Sequence, residues 1–149
     1  MSSFRVLSPD FQYTDGGIVE REVATSYLNI DLYQCHQEVS SESLSKYSGL
    51  LVYHIAKIDD CFMDQLTNCR IIVRCGVGFD NVDLKAAAER GIAVCNTPDY
   101  GTSEVADNTI GMIHSLERQF GSYHNLIQND PFTNFSHLKF PPGRRLRGR

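Results

Sequence analysis

Residues 70–96 read RIIVRCGVGFDNVDLKAAAERGIAVCN, and this stretch decides the fold. It opens with RIIVRC (70–75), which is predicted to be a buried strand. A helix is predicted next, because Asp83 suits its N-terminal cap, three alanines favour helix and Gly91 suits a left-handed end. A second strand follows at 92–96. Strand, helix and strand in this order predict parallel strands joined by a crossover helix.

The same alternation extends back toward the N-terminus. Further strands are predicted over 4–8 (closed by Pro9), 28–35 and 50–55. Helices are predicted over 18–27, 40–49 and 59–69. The pattern indicates an α/β domain with a parallel sheet and flanking helices, whose functional loops follow the carboxyl ends of the strands. Those loops are 8–14, 54–59, 75–82 and 96–102.

A longer helical pattern follows the alternating part. Side chains of one face recur every three or four residues, which predicts a single helix over 103–128, capped by Thr102 or Ser103. A stripe of this length needs a partner to cover it. The last residues are rich in Pro, Asn and Arg, which predicts a connector. The predicted division is a domain over 1–102, a helix over 103–128 and a connector over 129–149.

Composition excludes several classes of protein. The chain has 149 residues and a net charge of −4, and the four arginines in 144–149 leave −8 for the rest. An acidic body does not support nucleic-acid binding. The basic tail is either a solvated segment or linker, or else a nuclear address or a phosphate-binding arm. No apolar run reaches about 18 residues and no signal peptide is evident, which predicts a cytoplasmic protein without a membrane span. Five cysteines without C-x-x-C spacing predict reduced thiols rather than a metal site.

The glycine loop CGVGFDNVDL (75–84) does not match a nucleotide-binding fingerprint. The motif G-x-G-x-x-G needs a third glycine where this chain has Asn81, and the acidic residue expected further along is absent. Two interpretations of the spacing remain open. The loop is either a tight turn that needs two glycines, or a nest whose Val77 and Gly78 amides bind a small anion.

Residues 70–111 closely resemble the NAD-dependent D-isomer-specific 2-hydroxyacid dehydrogenases, above all the branch that includes the C-terminal-binding-protein corepressors. The resemblance rests on G-x-G-x-D-N-V-D, A-x-x-x-G-I-x-V-C-N-x-P and E-x-A-D, and weaker similarity covers nearly the whole chain. It implies a flavodoxin-like substrate-binding domain followed by a long interdomain helix. In complete members a Rossmann domain that binds NAD(H) follows, and RLRGR at 145–149 resembles the lead-in to its first strand.

The resemblance also implies site residues. In the family, backbone amides of the glycine loop bind the carboxylate of a small 2-hydroxy or 2-oxo acid, which corresponds here to Gly76, Val77 and Gly78. A second substrate-lining stretch corresponds to His54 and Ile55.

Near the cofactor, the resemblance implies Thr102 and Gly101, although Thr102 could equally be a plain helix cap. Beside the glycine loop, Cys75 is interpreted as a buried thiol rather than a nucleophile. Arg74 could face a substrate carboxylate, but the simpler interpretation is that it ends the strand.

No catalytic residue is assigned, because the arginine, carboxylate and histidine of the family reaction lie in the second half of a complete member. By resemblance, this chain alone is expected neither to bind NAD(H) productively nor to transfer hydride. Helix 103–128 is expected to expose apolar surface and to favour a homodimer or other association. The alternative is a non-enzymatic, corepressor-like module that binds peptides. A phospho-receiver domain is disfavoured, because His54 stands where the acceptor aspartate belongs.

Overall fold

A computed structural model describes residues 4–24, 28–34, 41–129 and 146. The chain divides into two compact units, Met1–Tyr100 and Gly101–Arg149. Among the described helices, none is long and apolar enough to cross a membrane.

The first unit is built on a five-stranded parallel sheet in the order β2-β1-β3-β4-β5. Its strands are β1 (Phe4–Phe11), β2 (Leu28–Gln34), β3 (Gly49–Val52), β4 (Ile71–Arg74) and β5 (Ala93–Asn96). Its helices are α1 (Ile18–Val23), a 3₁₀ helix (Ser41–Lys46), α2 (Asp60–Met63) and α3 (Leu84–Glu89). This strand order is that of flavodoxin-like sheets, so the predicted fold class is confirmed.

The core lies between the sheet and these helices. It is formed by apolar side chains of the strands and of the segments that cross between them, namely Leu7, Leu44, Tyr47, Leu50, Val52, Ile58, Met63, Leu66, Cys69, Ile72, Val82, Ala86, Ala87 and Ile92. As predicted, Asp83 caps α3, since its side chain accepts a hydrogen bond from the amide of Ala86 at 3.0 Å. Gly91 adopts the expected left-handed conformation, with φ of 67°.

Strand β1 runs past Pro9, so the predicted end of this strand is wrong. The register with β2 shifts between Ser8 and Phe11, and the pairing with β3 involves only Val6 and Leu7. A proline lacks an amide hydrogen and is tolerated at such an irregular place in the ladder. The extension carries Asp10 to the carboxyl edge of the sheet.

Other predicted elements are shorter in the structure. The helix predicted over 59–69 is helical only at Asp60–Met63, and the one predicted over 40–49 forms a 3₁₀ helix over Ser41–Lys46. The helix predicted over 18–27 ends at Val23. Residues 25–27, 35 and 40 of these predictions lie outside the described residues.

The second unit contains two helices, α4 (Thr102–Arg118) and α5 (Phe120–Asn129), so the prediction of one unbroken helix is wrong. Gln119 adopts a left-handed conformation with φ of 56°, and its amide bonds to the carbonyls of Leu116 and Ser115, which ends α4. Neither Thr102 nor Ser103 caps α4, because Gly101 holds that position without a side-chain bond. Most of the connector predicted over 129–149 lies outside the described residues.

The apolar stripe predicted for this region is exposed in the structure. No residue of α4 or α5 is buried. The exposed large apolar side chains of these helices are Val105, Ile110, Met112, Ile113, Leu116, Phe120 and Ile127. The unit therefore presents considerable apolar surface.

Candidate functional site

A cavity of about 490 Å³ lies at the carboxyl edge of the sheet, within the first unit. Each of the four loops predicted to be functional contributes to it. Its lining residues are Tyr13, Asp15, Val19, Glu20, Tyr53, His54, Cys75, Gly76, Thr97 and Tyr100. The size is in the range of small-molecule pockets.

Asp10 organises the loop after β3. Its side chain is 1% exposed, and its two carboxylate oxygens accept hydrogen bonds from three backbone amides. One oxygen accepts from Tyr53 at 2.8 Å, and the other accepts from Ile55 and Ala56, both at 2.9 Å. Hydrogen bonds to a carboxylate are among the stronger ones in proteins. Asp10 therefore fixes the backbone on both sides of His54.

Asn81 ties the glycine loop to the same segment. Its Nδ2 donates to the carbonyl oxygens of Ala56 at 2.9 Å and Tyr53 at 3.3 Å, and its own carbonyl accepts from the amide of Ile58 at 2.8 Å. A dinucleotide fingerprint would place a glycine here to let the helix approach. In the structure this position instead joins the glycine loop to the loop after β3.

The glycine loop is also held from the side of β5. The amide of Thr97 donates to the carbonyl of Gly76 at 3.0 Å, and Asn96 Nδ2 donates to the carbonyl of Val77 at 2.8 Å. Within the described residues, no group accepts a hydrogen bond from the amides of Val77 or Gly78. Both amides are therefore available to an anion.

Arg74 lies beneath this loop and contacts His54. As predicted, Arg74 is the last residue of β4. The residue is only 7% exposed, and its Nη2 lies 2.7 Å from His54 Nδ1. A guanidinium only donates, so Nδ1 accepts and the ring proton is assigned to Nε2. Arg74 makes no salt bridge with a carboxylate among the described residues, and its Nε has no partner. A buried cation of this kind favours an anion nearby.

The rings of Tyr13 and Tyr53 line another part of the cavity together with the carboxylate of Glu20, and Phe11 lies outside the lining. Phe11, Tyr13 and Tyr53 pack edge to face, with ring centroids 5.7–5.9 Å apart. The hydroxyl of Tyr53 donates to Glu20 Oε1 at 2.7 Å. Burial and then this hydrogen bond raise the pKa of Tyr53, so the phenol remains protonated.

Cys75 lines the cavity as a half-buried thiol. Burial, and then the negative charge of Glu20, raises the pKa of Cys75 above its ordinary value. A protonated thiol is a poor nucleophile, which favours the structural role predicted for this residue. The four cysteines that the structure describes carry free thiols, and no group of residues in the described ranges could hold a metal ion.

The structure places some of the predicted site residues at the cavity and others away from it. His54 and Gly76 line the cavity, whereas the neighbouring side chains of Ile55 and Val77 are exposed. Gly78 lies in the same loop as Gly76 and Val77.

Gly101 and Thr102 begin α4 in the second unit, and their predicted role near a cofactor stays a prediction. Sequence reasoning missed Asp10, Asn81 and Glu20. Asp10 left a weak signal, because it is the only acidic residue in the stretch FRVLSPDF over 4–11.

Two curated relatives are similar to this chain. C-terminal-binding protein 1 of Caenorhabditis elegans is 36% identical over 86 residues, which cover 58% of this chain and 12% of that protein. D-3-phosphoglycerate dehydrogenase of Bacillus subtilis is 31% identical over 115 residues, which cover 77% of this chain and 21% of that protein. The chain thus spans about a fifth or less of the length of these relatives.

A solved structure shares the fold over the whole chain. It is the NADPH-dependent glyoxylate/hydroxypyruvate reductase of Sinorhizobium meliloti in complex with citrate, which is 29% identical, with a TM-score of 0.79. The similarity covers 100% of this chain and 45% of that one. In addition, residues 14–136 match the family model of the D-isomer specific 2-hydroxyacid dehydrogenase, catalytic domain. Because this match covers more than half of the sequence, the chain belongs to the D-isomer specific 2-hydroxyacid dehydrogenase family.

Proposed function

We propose that this chain is the substrate-binding part of an NAD-dependent oxidoreductase that acts on the CH–OH group of a small 2-hydroxy acid, or on the matching 2-oxo acid. The observation that carries the proposal is the pair of amides at Val77 and Gly78, which donate to no described group, beside a buried guanidinium without a carboxylate partner among the described residues. Such a combination suits a carboxylate.

The bound acid is proposed to place its carboxylate at the amides of Val77 and Gly78. Arg74 supplies positive charge from below, and it holds His54 so that Nε2–H can donate to an oxygen of the substrate. Asp10 and Asn81 hold the loop that carries His54 in place, and Asn81 also joins it to the glycine loop. The described residues would therefore bind and orient the acid.

The redox step is proposed to need NAD(H) in a complete protein. In support, the glycine loop has Asn81 where a dinucleotide fingerprint has its third glycine, and the family's arginine, carboxylate and histidine have no counterparts assigned here. We therefore propose that this chain alone neither binds NAD(H) productively nor transfers hydride. The cytoplasmic location and the absence of a nucleic-acid partner stay predictions.

Replacing Arg74 by methionine tests the proposed anion site. Pyruvate is expected to bind the chain with a dissociation constant of about 1 mM, as befits so small a ligand. Loss of a charge-assisted contact should weaken pyruvate binding about tenfold in Arg74→Met. Isothermal titration calorimetry or ligand-observed NMR would measure both constants.

Arg70→Met is the matched control, because Arg70 flanks the other end of the same strand and is exposed. It is expected to bind pyruvate like the unchanged chain. Equal affinities for the two variants, or no binding of pyruvate to the unchanged chain, would contradict the proposed site.

A second candidate is a non-enzymatic module that binds peptides, as predicted from the corepressor resemblance. The 36% identity to C-terminal-binding protein 1 favours it. One experiment distinguishes the two candidate functions. The chain is immobilised, and its binding of a random peptide library and of pyruvate is measured. If peptides bind the chain and pyruvate does not, the peptide-binding module is favoured over the substrate-binding part of a dehydrogenase.

Association through the second unit is a further prediction. The apolar side chains of α4 are exposed, Leu116 by 78%, so the chain is expected to self-associate as its concentration rises. Leu116→Glu should reduce this association, whereas Asn108→Glu, which adds the same charge at an exposed polar position, should not. Sedimentation velocity would compare them. A chain that stays monomeric at all concentrations would contradict the prediction that it self-associates.

A further inference from the structure

The cavity combines two chemically different parts. The ends of β3, β4 and β5 contribute His54, Cys75, Gly76 and Thr97, with the guanidinium of Arg74 behind them. This part suits the carboxylate of the acid. The segment between β1 and α1, with α1 itself, contributes a different set of side chains, which are Tyr13, Asp15, Val19 and Glu20.

That second part of the cavity contains two carboxylates, those of Glu20 and Asp15. Glu20 accepts from the hydroxyl of Tyr53 at 2.7 Å, and Asp15 accepts from the amide of Gly17 at 2.9 Å. Neither forms a salt bridge with a described residue. An anionic group that entered this part of the cavity would therefore meet two like charges.

The remaining lining of this part is aromatic or apolar. Tyr13 and Tyr53 pack against each other at 5.8 Å, and Val19 and Tyr100 add apolar surface. The hydroxyl of Tyr53 is already engaged by Glu20, so its ring is what a ligand meets. A cavity of about 490 Å³ has room for a substrate larger than a three-carbon acid.

We propose that Glu20 and Asp15, set among the tyrosines, select 2-hydroxy or 2-oxo acids whose side chain is aromatic or apolar and carries no second negative charge. This inference rests on the proposed function, since it assumes that the first carboxylate lies at the glycine loop. Glu20 acts as a specificity-determining residue because it repels dianionic substrates. The carboxylate that all 2-oxo acids share is bound at the glycine loop, beside Arg74.

The test compares phenylpyruvate, 2-oxoglutarate and pyruvate as ligands of the full chain. Phenylpyruvate is expected to bind about tenfold more tightly than 2-oxoglutarate, from apolar burial and from the absence of a second charge. In Glu20→Gln the affinity for 2-oxoglutarate should rise about fivefold relative to that for pyruvate. Glutamine keeps an oxygen that accepts from Tyr53, so the fold is retained.

Glu22→Gln is the matched control, because it removes the same charge from the same helix at an exposed position outside the cavity lining. It should leave the ratio of 2-oxoglutarate to pyruvate affinity unchanged. Asp15→Asn should raise that ratio, as Glu20→Gln does.

The outcomes separate the two proposals. If no 2-oxo acid binds, the proposed function fails and this inference fails with it. If pyruvate binds but 2-oxoglutarate binds as well as phenylpyruvate, and Glu20→Gln leaves the affinity ratio unchanged, only the specificity inference is overturned. A ratio that rises in Glu20→Gln and not in Glu22→Gln supports it.

Discussion

Asp10→Asn is expected to lower the free energy of unfolding by about 2–4 kcal/mol, because a buried amide loses its acceptor and the new NH₂ group has none. The carboxylate accepts from three backbone amides and is 1% exposed, so water cannot replace the lost bonds. An asparagine offers one oxygen where the structure uses two. The loop that carries His54 should loosen, and pyruvate binding should weaken with it.

Chemical denaturation followed by circular dichroism would measure the change in stability. Asp80→Asn is the control, since Asp80 is exposed and the substitution is the same. It should change the free energy of unfolding by less than about 0.5 kcal/mol. If both variants unfold at the same denaturant concentration as the unchanged chain, Asp10 does not hold the loop as described.

The two glycines of the loop are expected to respond very differently to alanine. A Cβ at position 76 would lie 1.7 Å from Arg74 Nη1 and 3.0 Å from its Cζ, so the guanidinium must move and leave His54. Gly76→Ala should therefore destabilise the chain by about 2 kcal/mol, the usual cost of overpacking a filled site. It should also weaken pyruvate binding about tenfold, as loss of the Arg74 contact does.

Gly78→Ala provides the matched control in the same loop. A Cβ there would find only a side-chain oxygen of Asp80, at 3.4 Å, and the backbone amide is retained. Stability and pyruvate affinity should both stay close to those of the unchanged chain. Thermal unfolding and the pyruvate titration would compare the variants, and equal losses for the two glycines would contradict the placement of Arg74.

The sequence was sufficient to predict the sheet because its signals are local. Apolar runs mark β3 and β4, and Asp83 with the following alanines marks α3. The first strand was misjudged, since Pro9 is compatible with a strand once the pairing on that side becomes irregular. That irregularity depends on neighbouring strands and has no signature in the residues around the proline.

The break in the long helix was missed for a related reason. The apolar spacing continues through Gln119 without interruption, and glutamine is an ordinary helix former. Its left-handed conformation becomes visible only in the structure. Periodicity indicates which side chains share a face, but it does not show where a residue leaves the helical region.

The site could be predicted only in part. Loop positions follow from the parallel sheet, so His54 and the glycine loop were placed correctly at the carboxyl edge. The bonds that hold these loops join residues 19 to 46 positions apart, such as Asn96 with Val77 and Asp10 with Ala56. Partners of that separation leave no local pattern, and the burial of Arg74 against His54 is hidden for the same reason.

The measurement that tests the account most directly is a ¹H–¹⁵N NMR titration of the chain with pyruvate. If the carboxylate binds as proposed, the largest saturable shifts should occur at the backbone amides of Val77 and Gly78, with smaller ones at His54. The amides of Arg70 and Arg90, which line a separate cavity, should not move. Shifts confined to residues outside the glycine loop, or no saturable shift at all, would contradict the proposed substrate site.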